Sequence, residues 1–160
     1  MPPLPDQVRH EFASLALGYY AAGRMAFRAR AGSLVSAHIL HHAVEFVLKA
    51  TLARHTTLSD MKKSGHRLPD LFESAVSRSP ELRSDAHRAT ASRLHELWEM
   101  RFPDRILAAE GQEWDLERVD RLFCAGFRAT GLTPSALTQR LGADALQAVR
   151  EENPESDYFG

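Results

Sequence analysis

The chain has one cysteine, Cys124, in 160 residues, which excludes an internal disulfide and a cysteine-built zinc cluster. Its neighbours Leu122, Phe123 and Phe127 predict a buried structural thiol. No apolar run approaches the roughly 18–20 residues of a membrane span, and the opening Met1-Pro-Pro-Leu-Pro-Asp6 lacks the basic start and apolar core of a signal peptide. A cytoplasmic protein with no membrane partner is expected. Neither sign of charge is in excess, with 20 Lys and Arg against 21 Asp and Glu. Global electrostatics therefore draws the chain neither to nucleic acid nor to an acidic membrane, and any polyanion site has to be a local patch. Also missing are a phosphate-binding glycine loop, a nucleophile elbow and an HExxH motif, which removes the common nucleotide hydrolases, α/β-hydrolases and zincins. No cofactor is implied.

Alternating runs of Val, Ile and Thr are absent as well, while Ala, Leu and Arg abound, so the expected class is all-α. The length suits one domain. Val8, Phe12, Leu15, Tyr19, Ala22 and Ala26 recur at three- and four-residue spacing after Asp6 and predict a first helix, with that stripe as its core face, ending near Gly32. Ser33 is placed to cap a second helix reaching about His55, apolar on most sides and hence central in a bundle. Residues 56–65 read as a polar loop and 66–77 as a short helix. One long helix is expected from Pro80 to about Arg101, stopped by Phe102-Pro103-Asp104. Leu116, Val119, Phe123 and Phe127 mark a fifth helix, and Thr133 opens a sixth. The predicted architecture is an up-and-down bundle of four to five core helices over residues 6–131. A C-terminal helical extension at 132–152 and a disordered tail at 153–160 follow it.

The second helix carries a narrow polar stripe. At 100° per residue, His38, His41, His42, Glu45 and Lys49 fall within about a third of the circumference. Leu34, Leu48 and Leu52 lie on the same side, so the stripe is expected to be at least partly covered. A buried Glu45 alone would cost several kcal/mol; Lys49, one turn later, is a ready partner, and His66 is another. Two histidines at i and i+4 can converge on one ion, which makes His38, His42 and Glu45 a metal or small-ligand option. The missing further ligand favours a structural polar network over it. Tyr19, Tyr20 and Phe27 could stack bases, although aromatics at helical spacing usually belong to a core.

Three segments in order, Ala37-His-Ile-Leu-His-His-Ala-Val-Glu-Phe-Val-Leu-Lys-Ala50, Gly65-His66-Arg-Leu-Pro-Asp-Leu71 and Arg101-Phe-Pro-Asp104, resemble a HEPN domain over about residues 10–130. That resemblance implies a helical bundle that often dimerises, in a family that includes RNA-cleaving toxins paired with a nucleotidyltransferase-like antitoxin, nucleotide-binding proteins and domains without catalysis. Its ribonuclease members carry an Arg and a His with four to six residues between them. Arg88 and His95 have that spacing, but Ala89 stands where a polar residue usually follows the Arg, and the pair lies before Arg101–Asp104 rather than after it.

Seven residues apart on a helix, Arg88 and His95 share a face opposite the apolar Ala86, Thr90, Leu94 and Leu97, so they are expected at solvent or at a second subunit. There His95 would act as general base on a ribose hydroxyl, with Arg88 holding the phosphate, in a metal-independent endoribonuclease. A solvated Arg and His is the plainer alternative. Arg101 and Asp104 would fasten a helix end. The functional expectation is thus a HEPN-like homodimer associated with RNA or nucleotide, or a non-catalytic interaction module.

Overall fold

The computed structural model describes residues 5–100 and 114–133, and among these every regular element is helical. In chain order they are α1 (Pro5–Arg28), α2 (Ser33–Leu52), α3 (Leu58–Lys63), α4 (Leu68–Arg78), a 3-10 turn (Pro80–Leu82), α5 (Asp85–Glu99) and α6 (Leu116–Ala129). The protein is an all-α bundle. None of these helices is long and apolar enough to cross a membrane. Residues 134–152 of the C-terminal helix expected at 132–152, the tail after it, and Arg101 and Asp104 lie outside the described residues.

α2 is the axis of the bundle, with 13 of its 20 residues buried, and α1, α4, α5 and α6 all pack on it. Its polar residues are spaced among Ala37, Leu40, Val44, Val47 and Leu48, all fully buried. The helix can be this closely surrounded because glycines face it at two crossings. A Cβ at Gly23 of α1 would come within 2.6 Å of Leu40, and one at Gly126 of α6 within 2.9 Å of Val47. Thr51 Oγ1 meets the Gly126 carbonyl oxygen at 3.2 Å across the second crossing. The remaining helices bring large apolar side chains to the core: Leu68, Leu71 and Phe72 from α4, Leu94 and Leu97 from α5, and Leu122, Phe123 and Phe127 from α6. Full burial of each contributes about 1.5–3 kcal/mol before entropic costs. Cys124 is a buried thiol among them.

Several boundaries differ from those expected, each for a local reason. Gly32 takes the cap position of α2, and Ser33 lies inside the first turn, where its Oγ accepts from Trp114 Nε1 at 2.6 Å. The polar stretch 56–65 contains α3, nucleated by Thr57, whose hydroxyl accepts from the Asp60 backbone N–H at 3.2 Å. The helix expected from Pro80 is interrupted, since Ser84 takes an extended conformation and caps α5 at the His87 N–H.

The largest difference is the orientation of α1. Its packed side presents Ala13, Ala16, Leu17, Tyr20, Ala21 and Gly23, about a third of a turn from the Phe12, Leu15, Tyr19 and Ala22 stripe. Small residues won the interface because they let α1 lie close against α2, as the Gly23–Leu40 approach shows. Of the bulkier stripe Val8 is buried and Phe12 packs partly against the core, whereas Leu15 and Tyr19 are left 46% and 38% exposed.

Candidate functional site

The polar stripe of α2 converges on Glu45, whose side chain is wholly buried. Oε1 accepts from Lys49 Nζ at 2.6 Å and from His66 Nδ1 at 2.8 Å, while His42 Nδ1 stands 3.4 Å from Oε2. Residues 42, 45 and 49 meet through helical spacing alone. His66 arrives from the segment just before α4, where Pro69 sits in the first turn. Burial raises the pKa of the Glu45 carboxyl, but the hydrogen bonds from His42 and Lys49, the Lys49 charge and the bond from His66 outweigh it and hold the value at about 2. The carboxylate is therefore ionised at any ordinary pH.

Beside it lies a histidine of the opposite character. His41 is fully buried, and neither ring nitrogen has a hydrogen-bond partner among the described residues. Its ring stacks on Trp98 at 4.8 Å between centroids and 9° between planes, with His95 on the same side at 5.8 Å. Burial depresses its pKa to about 3, so the imidazole is neutral. Buried polar groups without partners are uncommon and ask for an explanation. The interior opens to solvent on the side of His42 and His66, whose side chains are 34% and 59% exposed.

The trio His38, His42 and Glu45 suggested by i, i+4 spacing is not the one brought together. His38 turns to α5, where its Nε2 lies 2.8 Å from the Leu97 carbonyl oxygen. His41 takes its place: among the described residues, His41, His42 and Glu45 each offer a ligand atom within 4.8 Å of the other two. The sequence signal for this was the apolar stripe Ala37, Val44 and Leu48, on which His41 sits.

Arg88 and His95 do not share a solvent face. The Arg88 guanidinium is bound at 2.6 Å to Glu73 of α4 and at 2.7 Å to Asp85, which raises its pKa further. His95 is buried to 7% exposure, against His41 and Trp98, and its Nδ1 has no partner among the described residues. The expectation of a common outer face fails because α5 is covered by α2, α4 and α6 together, so its buried arc runs from Leu97 through Thr90 and Ala91 to His95.

A second buried carboxylate went unnoticed in the sequence. Asp120 of α6 accepts from the Tyr20 hydroxyl at 2.7 Å through Oδ1 and pairs with Arg24 through Oδ2. Burial, and then Asp120, push the Tyr20 phenol far above its ordinary pKa. Its ring stacks on Phe123 at 4.1 Å, so Tyr20 is a core residue with no face for a base. The legible sign was an acid one turn from both Leu116 and Phe123 on the apolar side of α6.

The groove of about 360 Å³ between α5 and α6, lined by Arg93, Trp114 and Arg118 among others, is not a concentrated basic patch. Arg93 pairs with Glu96 at 3.0 Å and Arg118 with Asp115 at 3.4 Å. No family model matches the chain, and comparison with curated proteins and with solved structures finds no significant match.

Proposed function

We propose that the chain is a HEPN-like bundle working as a non-catalytic interaction module that pairs with a second copy of itself through the outer faces of α1 and α2. One observation carries this reading: beyond its packed side α1 has a second apolar face, on which Leu15 and Tyr19 are exposed and Phe12 is only partly buried. On the other face Phe12, Leu15 and Tyr19 run along the helix, with Phe46 of α2 stacked on Phe12 at 5.9 Å and tilted against Tyr19 at 5.4 Å. Contiguous exposed apolar side chains of this kind mark association surfaces. A net charge of −1 sets up little repulsion between copies.

The HEPN resemblance supports the same reading. Glu45, Lys49 and His66, from two of the three resembling segments, join α2 to the approach of α4 as packing residues. Arg88 is engaged by two carboxylates and His95 is covered, an arrangement that disfavours RNA cleavage by that pair.

Light scattering after size exclusion tests the proposal. A dimer is expected for the native chain and a folded monomer for Leu15→Glu, because a charge on an exposed site spares the core while burying it in an interface is costly. A monomeric native chain, or a dimer indifferent to Leu15→Glu, overturns it. RNA cleavage abolished by His95→Ala would replace it with the ribonuclease reading.

A further inference from the structure

We propose that His41, His42 and Glu45 form a binding site for a divalent transition ion of the zinc class. Glu45 Oε2 and His42 Nδ1 are 3.4 Å apart, long for a hydrogen bond. It is, however, the separation that two ligands take across a tetrahedral ion about 2.0–2.1 Å from each. His41 supplies the independent observation. It is a fully buried imidazole with neither nitrogen partnered among the described residues, and one of its ligand atoms lies within 4.8 Å of those of the other two residues.

The two carboxylate oxygens are already divided between roles. Oε1 is taken by Lys49 and His66, which orient the group as outer partners of a metal ligand do, whereas Oε2 faces the two histidines. When His42 Nδ1 binds the ion, Nε2 carries the ring proton instead. Two imidazoles and one carboxylate select zinc and its neighbours over calcium or magnesium, which want all-oxygen sets. Three protein ligands leave the fourth tetrahedral position to water or an external ligand. Entry lies past His42 and His66, the exposed side of the cluster. The Lys49 ammonium opposes the added charge, so affinity below that of a four-ligand structural zinc site is expected. The site borders the association face, with the His42 ring 5.5 Å from that of Tyr19 and 6.4 Å from that of Phe46, but all three ligands come from one chain.

The test is a competition titration of tag-free, chelator-stripped full-length protein with Zn²⁺ against a chromophoric chelator. One tightly bound ion per chain is expected, and Co²⁺ in its place should give the intense visible absorption of tetrahedral coordination. His42→Ala should lower affinity by more than about 100-fold and His66→Ala by about 10-fold, as expected for a ligand and for an outer partner respectively. His38→Ala should change nothing. His42 is the deciding variant because its half-exposed side chain can be removed without opening the core, whatever happens to Glu45→Gln. No stoichiometric binding by the native chain, unchanged affinity in His42→Ala, or an equal loss in His38→Ala overturns the proposal.

Discussion

Two buried carboxylates hold this bundle together, and they are built differently. Asp120 has each oxygen taken by a donor from α1, Tyr20 on one side and Arg24 on the other, beneath a stacked Tyr20–Phe123 pair. Glu45 is fully served only at Oε1 and is bordered by His41, whose two nitrogens have no partner among the described residues. The first arrangement is closed, fastening α1 to α6. The second has spare ligand atoms in a buried place, which fastening α2 to α4 does not require. A polar group without a partner costs about 1–3 kcal/mol in the interior, so the Glu45 centre is the less efficient structural device and the better binding site.

The comparison is broken most severely at Asp120. Asp120→Ala takes the carboxylate away from the Tyr20 hydroxyl and the Arg24 guanidinium in the interior and should cost about 3–5 kcal/mol, read from chemical denaturation. An effect under about 1 kcal/mol would mean that solvent or a neighbour replaces the carboxylate, and the two centres would no longer differ in kind.

Acid should act on the other centre. In metal-free protein the His41 pKa is depressed to about 3, so an unfolded chain takes up a proton near pH 6.5 that the native state refuses. Stability therefore falls as pH drops from about 6.5 toward 3. Glu45, held at about 2, adds a second loss of the same sign as pH falls from about 4.5 toward 2. The groups facing this centre are His42 and Lys49 from α2, His66, and His95 and Glu99 from α5. Urea midpoints measured from pH 7 down to 3 should show the upper limb in the native chain and lose it in His41→Leu.

The α-helical class and the centrality of α2 were legible because both depend on local periodicity, and Glu45, Lys49 and His42 are tied together by spacing within one helix. What the sequence hid depends on which faces meet. On α1 the bulkier stripe looked like the core face, yet close packing at Gly23 favoured the small residues of the other side. On α5 a four-residue apolar stripe suggested one covered side, whereas three neighbouring helices cover an arc wide enough to take in His95. The choice of His38 over His41 failed for the same reason: i, i+4 spacing places two rings on one face but cannot say that α5 offers the Leu97 carbonyl to one of them. Asp120 was missed because its partners lie some 100 positions earlier in the chain.

The smallest expected effect tests the contrast most directly. His41→Leu removes two unpartnered nitrogens and keeps an apolar side chain in the same space, so metal-free protein should keep its stability to within about 1 kcal/mol after the loss of stacking on Trp98. Denaturation of His41→Leu beside Asp120→Ala, both free of metal at pH 7, should therefore give a near-native midpoint for the first and a collapsed one for the second. A loss in His41→Leu as large as that in Asp120→Ala would show that the His41 nitrogens are as firmly engaged as the Asp120 oxygens, and would contradict the account.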